Sequence, residues 1–320
     1  MSKRTRRKAP NPGPTAEVKK DQQLIRAVVA NNSRAAETAL DQGANPNLVL
    51  KGITPLHIAV TWGNQSTIAA LIRCGADIQA PGLGGLTPLH TTCTAEQLAC
   101  ARQLLDAGAD VHVLDRQGFT PLHHVAYGSQ RQQNPKVTRQ LIQLLLQRGA
   151  RINQKSFEGF TPLHIACNAI HDTAALELIA QGADVQATNG DDGITALHLV
   201  EHRASYEVVR ALIAAGADVN AQSRVLQTPL NRATYLRGNK SALALLAAGA
   251  DPECDMRDGA LETACENEML FVIQKMLESA RTVRTLAEDI TAEALIAAFE
   301  NGLHPGAILR SAPTHESVSV

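Results

Sequence analysis

This chain lacks the signatures of several protein classes. No run of apolar residues approaches the ~18 of a membrane span, which excludes a transmembrane helix by hydropathy. Cysteine is sparse, with six residues at 74, 93, 100, 167, 254 and 265. They form no CxxC pair and no dense framework, which speaks against disulfides and structural zinc. HExxH and GxSxG are absent, and the glycines at 82, 84 and 85 lack the GxxxxGK[ST] order of a phosphate loop. The opening MSKRTRRKAP is polar and basic, without the apolar stretch of a secretory signal. A cytoplasmic or nuclear protein is therefore expected. Aromatic residues are rare as well: one Trp, three Tyr and five Phe in 320 residues.

What is present suffices for a core. Apolar residues make up 44% and charged residues 19%, which excludes a wholly disordered chain. The length suggests two globular domains or one elongated array. Net charge is −1 but unevenly spread. Residues 1–20 carry seven basic side chains against Glu17, a net of +6, and the remaining 300 residues carry 23 basic and 30 acidic, a net of −7. A mildly acidic body argues against broad contact with nucleic acid.

A period near 33 residues organises the sequence. TPLH begins at Thr54, Thr87, Thr120 and Thr161, followed by TALH at Thr195 and TPLN at Thr228. The steps are 33, 33, 41, 34 and 33 residues. A Gly-Ala landmark has its glycine at 43, 75, 108, 149, 182, 216 and 249. The two ladders run in step, with 21 residues from Thr to Gly in every motif unit except the third, where there are 29. Thr suits an N-cap and Pro the first helical position. A short helix, broken for example at Gly63, then leads to a second helix with apolar residues at helical spacing, as in Ile68, Leu71 and Ile72. Gly75 sits where a left-handed C-cap is wanted. One such unit cannot bury its own apolar faces, so stacking is required.

TPLHIA at 54–59 and TPLHIAC at 161–167, each followed by a Gly-Ala-Asp turn, resemble the ankyrin-repeat family over about residues 21–281. The resemblance implies an all-α repeat solenoid: antiparallel helix pairs with hairpin-like fingers, stacked as one curved, elongated domain with a concave face. About eight units are expected. Residues 21–50 form a degenerate first cap and 258–281 a closing one, in which Leu261, Ala264 and Cys265 stand where Leu163, Ala166 and Cys167 stand in the fifth unit. Residues 1–20 read as a basic disordered tail, 282–310 as a C-terminal helical segment and 311–320 as a flexible tail. Unit four carries eight extra residues, GSQRQQNP at 128–135, either a tolerated loop or a recognition loop.

The resemblance also implies a protein-binding scaffold without chemistry of its own, a monomer with no cofactor, metal or small-molecule substrate. In the family's geometry the positions seven and eight after the motif Thr line the concave face. There stand Trp62, Tyr127, Arg203 and Tyr235, types favoured at interface hot spots, together with His202, and His124 is near them. Finger tips add Lys51, Arg116, Phe157, Arg224 and Arg257. The histidines 57, 90, 123, 164 and 198 form a ladder, but helices pack roughly 8–10 Å apart, too far for adjacent rungs to share one metal. Each is expected to bond backbone near its own cap and the next finger. The alternatives are a targeting or regulatory subunit of an enzyme complex, and a nucleic-acid-associated regulator using the tail Lys3–Lys8. Finally, LIAAGADVNA at 212–221 resembles the site of an asparaginyl hydroxylase, which makes Asn220 a candidate for modification; a good residue for the tight turn is the simpler reading.

Overall fold

The computed structural model describes residues 16–128, 134–190, 192–200, 206–224, 227–252, 260–267 and 269–283. His202, Arg203 and Arg257, the tail Lys3–Lys8 and residues 284–320 lie outside them. The chain divides into two compact units, one ending at Arg116 and one beginning at Gln117, where the sequence suggests a single elongated domain.

In the first unit, α1 (Ala16–Val29) pairs with α2 (Ser33–Asp41), α3 (Pro55–Thr61) with α4 (Gln65–Arg73), and α5 (Pro88–Thr94) with α6 (Leu98–Asp106). Proline opens α3 and α5, where the missing N–H costs nothing. Leu24, Leu56, Ile68, Leu71, Leu89 and Leu104 are sealed between the pairs. α1 begins within the stretch 1–20 that the sequence assigns to the tail. Its Leu24, Ala27 and Val28 bury themselves, which gives the helix a reason to form.

The second unit holds α7 (Pro121–Tyr127), α8 (Pro135–Gln147), α9 (Pro162–Asn168), α10 (Asp172–Ala180), α11 (Tyr206–Ala214), α12 (Pro229–Tyr235), α13 (Asn239–Ala247), α14 (Ala260–Glu266) and α15 (Leu270–Val283). The eight-residue insertion is partly absorbed by α8. That helix runs 13 residues where α10, α11 and α13 run 9, because Asn134 caps it and Pro135 starts it. Asn134 Oδ1 accepts from the N–H groups of Lys136 and Val137 at 3.1 and 3.4 Å. After Thr195 the expected helix is replaced by a 3₁₀ turn, Ala196–Leu199, closed by His198 N–H to the Thr195 carbonyl at 3.1 Å. Ala196 lacks the ring that presets φ in the other motif units.

The fingers contain no strand among the described residues, only isolated bridges at Leu50–Ile53 and Thr188–Thr195. In four Gly-Ala-Asp turns the Asp side chain accepts the N–H two residues on, at Asp77, Asp110, Asp184 and Asp218 (2.8–2.9 Å). The residue two places after the turn's third position often carries an amide, and the amide reaches the next repeat. Asn47 Oδ1 accepts from Asp77 N–H at 2.7 Å, Asn153 from Asp184 at 2.9 Å, and Asn220 from Asp251 at 2.8 Å. Among the described residues no helix is long and apolar enough to cross a membrane. No group of three or more His, Cys, Asp or Glu among them could hold a metal ion.

Candidate binding surface

The Thr-Pro-Leu-His caps set the geometry of the surface. Thr54 N–H donates to His57 Nδ1 at 3.3 Å, and the Thr54 hydroxyl lies 2.9 Å from the same nitrogen. His57 Nε2 meets the Leu86 carbonyl at 2.9 Å. A carbonyl only accepts, so Nε2 carries the proton and Nδ1 receives the threonine. The hydroxyl therefore serves the ring, and the simple threonine cap expected from sequence becomes a reciprocal one. The pattern repeats at His123 to Phe160, His164 to Ile194 and His198 to Gln227, each at 3.0 Å. Every such ring ties a helix start to the base of the following finger. Burial pushes His57, His164 and His198 below the ordinary imidazole value, His164 to about 4, against the opposing pull of these carbonyls. They are neutral struts. Burial likewise pushes the Cys93 and Cys167 thiols up to about 12, so neither is a nucleophile near neutral pH.

Backbone bonds between fingers hold the tips while leaving side chains outside. Arg116 N–H donates to the Gly84 carbonyl at 2.9 Å, Phe157 N–H to Gln117 at 3.1 Å and Arg224 N–H to Asp192 at 2.7 Å. Phe157 remains 71% exposed. A Cβ at Gly118 would lie 2.7 Å from its ring, so only glycine lets the ring settle on the preceding finger. Leu83, 63% exposed, rests on Gly52 in the same way.

The first unit carries two adjoining apolar hollows. A hollow of about 490 Å³ is lined by Val29, Leu50, Ile58, Trp62, Leu83 and Leu86, with Lys51 as its only charged side chain. Trp62, the C-cap of α3, is 54% exposed. A second hollow of about 400 Å³ shares Leu50 and continues past Leu48 and Val49 to Val18 and Ile25 of α1. Together the two hollows make one candidate contact surface.

Of the residues singled out from sequence, the structure brings Trp62 and Lys51 together at this groove. Tyr127 and Tyr235 end α7 and α12 in the second unit, about as exposed as Trp62 or more so. His124 is half-buried, with Phe119 edge-on at 6.1 Å. Arg116 and Arg224 are exposed, and Asn220 is half-buried in its turn. Leu50, Leu83, Val29 and the α1 stripe escaped the sequence reading. One signal was available. The first finger has 11 residues from Gly43 to Thr54, where the next two have 12. The shortfall leaves a two-residue turn, Lys51-Gly52, with both φ positive at 50° and 82° as a type I′ hairpin requires. That turn puts a leucine at the finger's inner end.

A family profile of three ankyrin repeats matches residues 80–155, 103–189, 131–223 and 171–258, and a single-repeat profile matches 51–82. No curated protein matches the chain. Among solved structures, the chain is similar to the ankyrin repeat domain of Bcl-3, described as a unique member of the IkappaB protein family. Identity is 27%, the match covers 73% of this chain and 99% of that one, and the TM-score is 0.58.

Proposed function

The chain belongs to the ankyrin-repeat family, and from that premise we propose that it is a non-enzymatic scaffold that holds a protein partner in the groove of its first unit. Ankyrin repeats generally mediate protein–protein interaction, and the chain is similar to the ankyrin repeat domain of Bcl-3. One observation carries the choice of groove: the only Trp of the chain stands more than half exposed between Leu50 and Leu83. An exposed Trp beside aliphatic side chains is unfavourable unless something covers it, and Trp is enriched among interface hot spots. Tyr127, Tyr235, Phe157, Arg116 and Arg224 supply further contacts on the surfaces that carry them.

Affinity capture with the full chain tests the reading. A specific protein held by the wild type should be lost with Trp62→Ala and with Leu50→Ser, while the melting temperature moves little. A partner retained equally by both variants would remove the groove from the function.

A further inference from the structure

The two hollows of the first unit meet at Leu50 and run along one side of α1. Val18, Gln22, Ile25 and Val29 of α1 line them at steps of four, three and four residues, one helical stripe left uncovered. From Val18 to Val29 the stripe rises about 16 Å, the length of three helical turns. The rim is cationic. Arg26 and Lys51 stand exposed, and neither forms an ion pair among the described residues. Asp21 is the one carboxylate on the lining, and its Oδ1 already accepts the Asn45 N–H at 2.9 Å.

We propose that this groove receives an acidic amphipathic helix of another protein, its apolar face against Val29, Leu50 and Trp62 and its carboxylates toward Arg26 and Lys51. The inference rests on the reading that the groove is the binding site and adds the chemistry of what fills it. A helix fits better than an extended segment. The groove is lined almost wholly by carbon, where unpaired peptide groups are costly and a helix satisfies its own. The neighbouring finger is a single bridge, Leu50 to Ile53 at 2.8 and 3.1 Å, and is too short to serve as a strand template. The chain's own opening segment, with Lys3, Arg4, Arg6, Arg7 and Lys8, has the wrong sign to bind between Arg26 and Lys51.

Trp62, the sole Trp, reports on the groove directly. Two synthetic peptides of about 14 residues are titrated into the full chain. Both carry Leu at i, i+4, i+7 and i+11; one has Glu on its flanks and its twin has Lys. The acidic peptide should shift Trp62 emission to the blue saturably, gain helical circular dichroism on binding, and bind at least about tenfold more tightly than its twin at low salt. Lys51→Glu with Arg26→Glu should reverse that order, and Leu50→Ser should abolish the shift with little change in melting temperature. Equal or tighter binding of the basic twin overturns the acidic partner and leaves the groove standing. If neither peptide perturbs Trp62 while captured protein is still lost with Trp62→Ala, the helix class fails and the function does not. A blue shift that persists in Leu50→Ser, or one that follows protein concentration alone, gives the site to another surface or a second copy and ends the proposal. Binding that appears only after residues 284–320 are removed assigns the groove to the chain's own C-terminal segment, with the same result.

Discussion

Trp62, Tyr127 and Tyr235 end short helices with 54%, 53% and 69% of their surface in solvent. Rings this exposed contribute little to the core and much to any surface that covers them. Replacing each by Ala should weaken partner binding by about 1–3 kcal/mol. Calorimetric titration against the captured partner, beside thermal melts, is the check, and matched losses in affinity and stability would make these side chains core. The contrast runs the other way at Leu163 of α9, which is 1% exposed. Leu163→Ala should cost about 2–5 kcal/mol in urea unfolding, from lost burial plus the cavity left behind. Phe157→Ala, at a finger tip, should cost little, and the reverse order would break the repeat register. The difference between the two sites was legible in sequence, because Leu163 sits in the cap motif and Phe157 outside it. That Phe157 lies against Gly118 was not, since residues 39 apart meet only through the stacking of fingers.

Among the elements, the histidine caps couple stability to pH. His57, His164 and His198 are held neutral by burial, so the folded chain binds fewer protons than the unfolded chain just below pH 6.5. Their contribution is complete above 6.5 and is lost as pH falls toward about 4, the value for His164. Unfolding free energies by urea at stepped pH should fall through this window by up to about 1.4 kcal/mol per pH unit for each histidine. A flat profile would mean the rings are already charged in the fold. Asn231 stands at the equivalent place in TPLN and adds nothing, having no proton to gain.

The turn amides are a second link between repeats. Asn220→Ala leaves the Asp251 N–H without its acceptor and should cost about 0.5–1.5 kcal/mol. We propose Asn220 as the site that an asparaginyl hydroxylase would modify. Mass spectrometry after incubation with the enzyme should find one added oxygen on the peptide containing Asn220, and none would end the idea. A hydroxyl on Cβ keeps the amide, so the bond to Asp251 and partner binding should both persist.

At the scale of the molecule, the boundary of the tail decides which truncation is informative. Val18 lines the groove and Leu24 and Val28 are core, so a cut after residue 20 would damage α1 itself. A chain beginning at Ala16 should retain both its captured partner and its melting temperature. Loss of the partner in that chain would shift the contact to the basic segment and favour a nucleic-acid-associated role.

By itself the sequence determined the repeat, its helix pairs, its histidine ladder and its ankyrin character. Those features depend on local rules, with caps, breakers and helical spacing recurring every 33 residues and reinforcing one another. The tertiary structure alone decided where apolar surface is left uncovered. Val18, Val29, Leu50, Trp62 and Leu83 span 66 residues and obey no single period, because they belong to a helix flank, two fingers and a helix end. Exposure is set by what packs alongside, and residues this far apart become one surface only when neighbouring repeats stack.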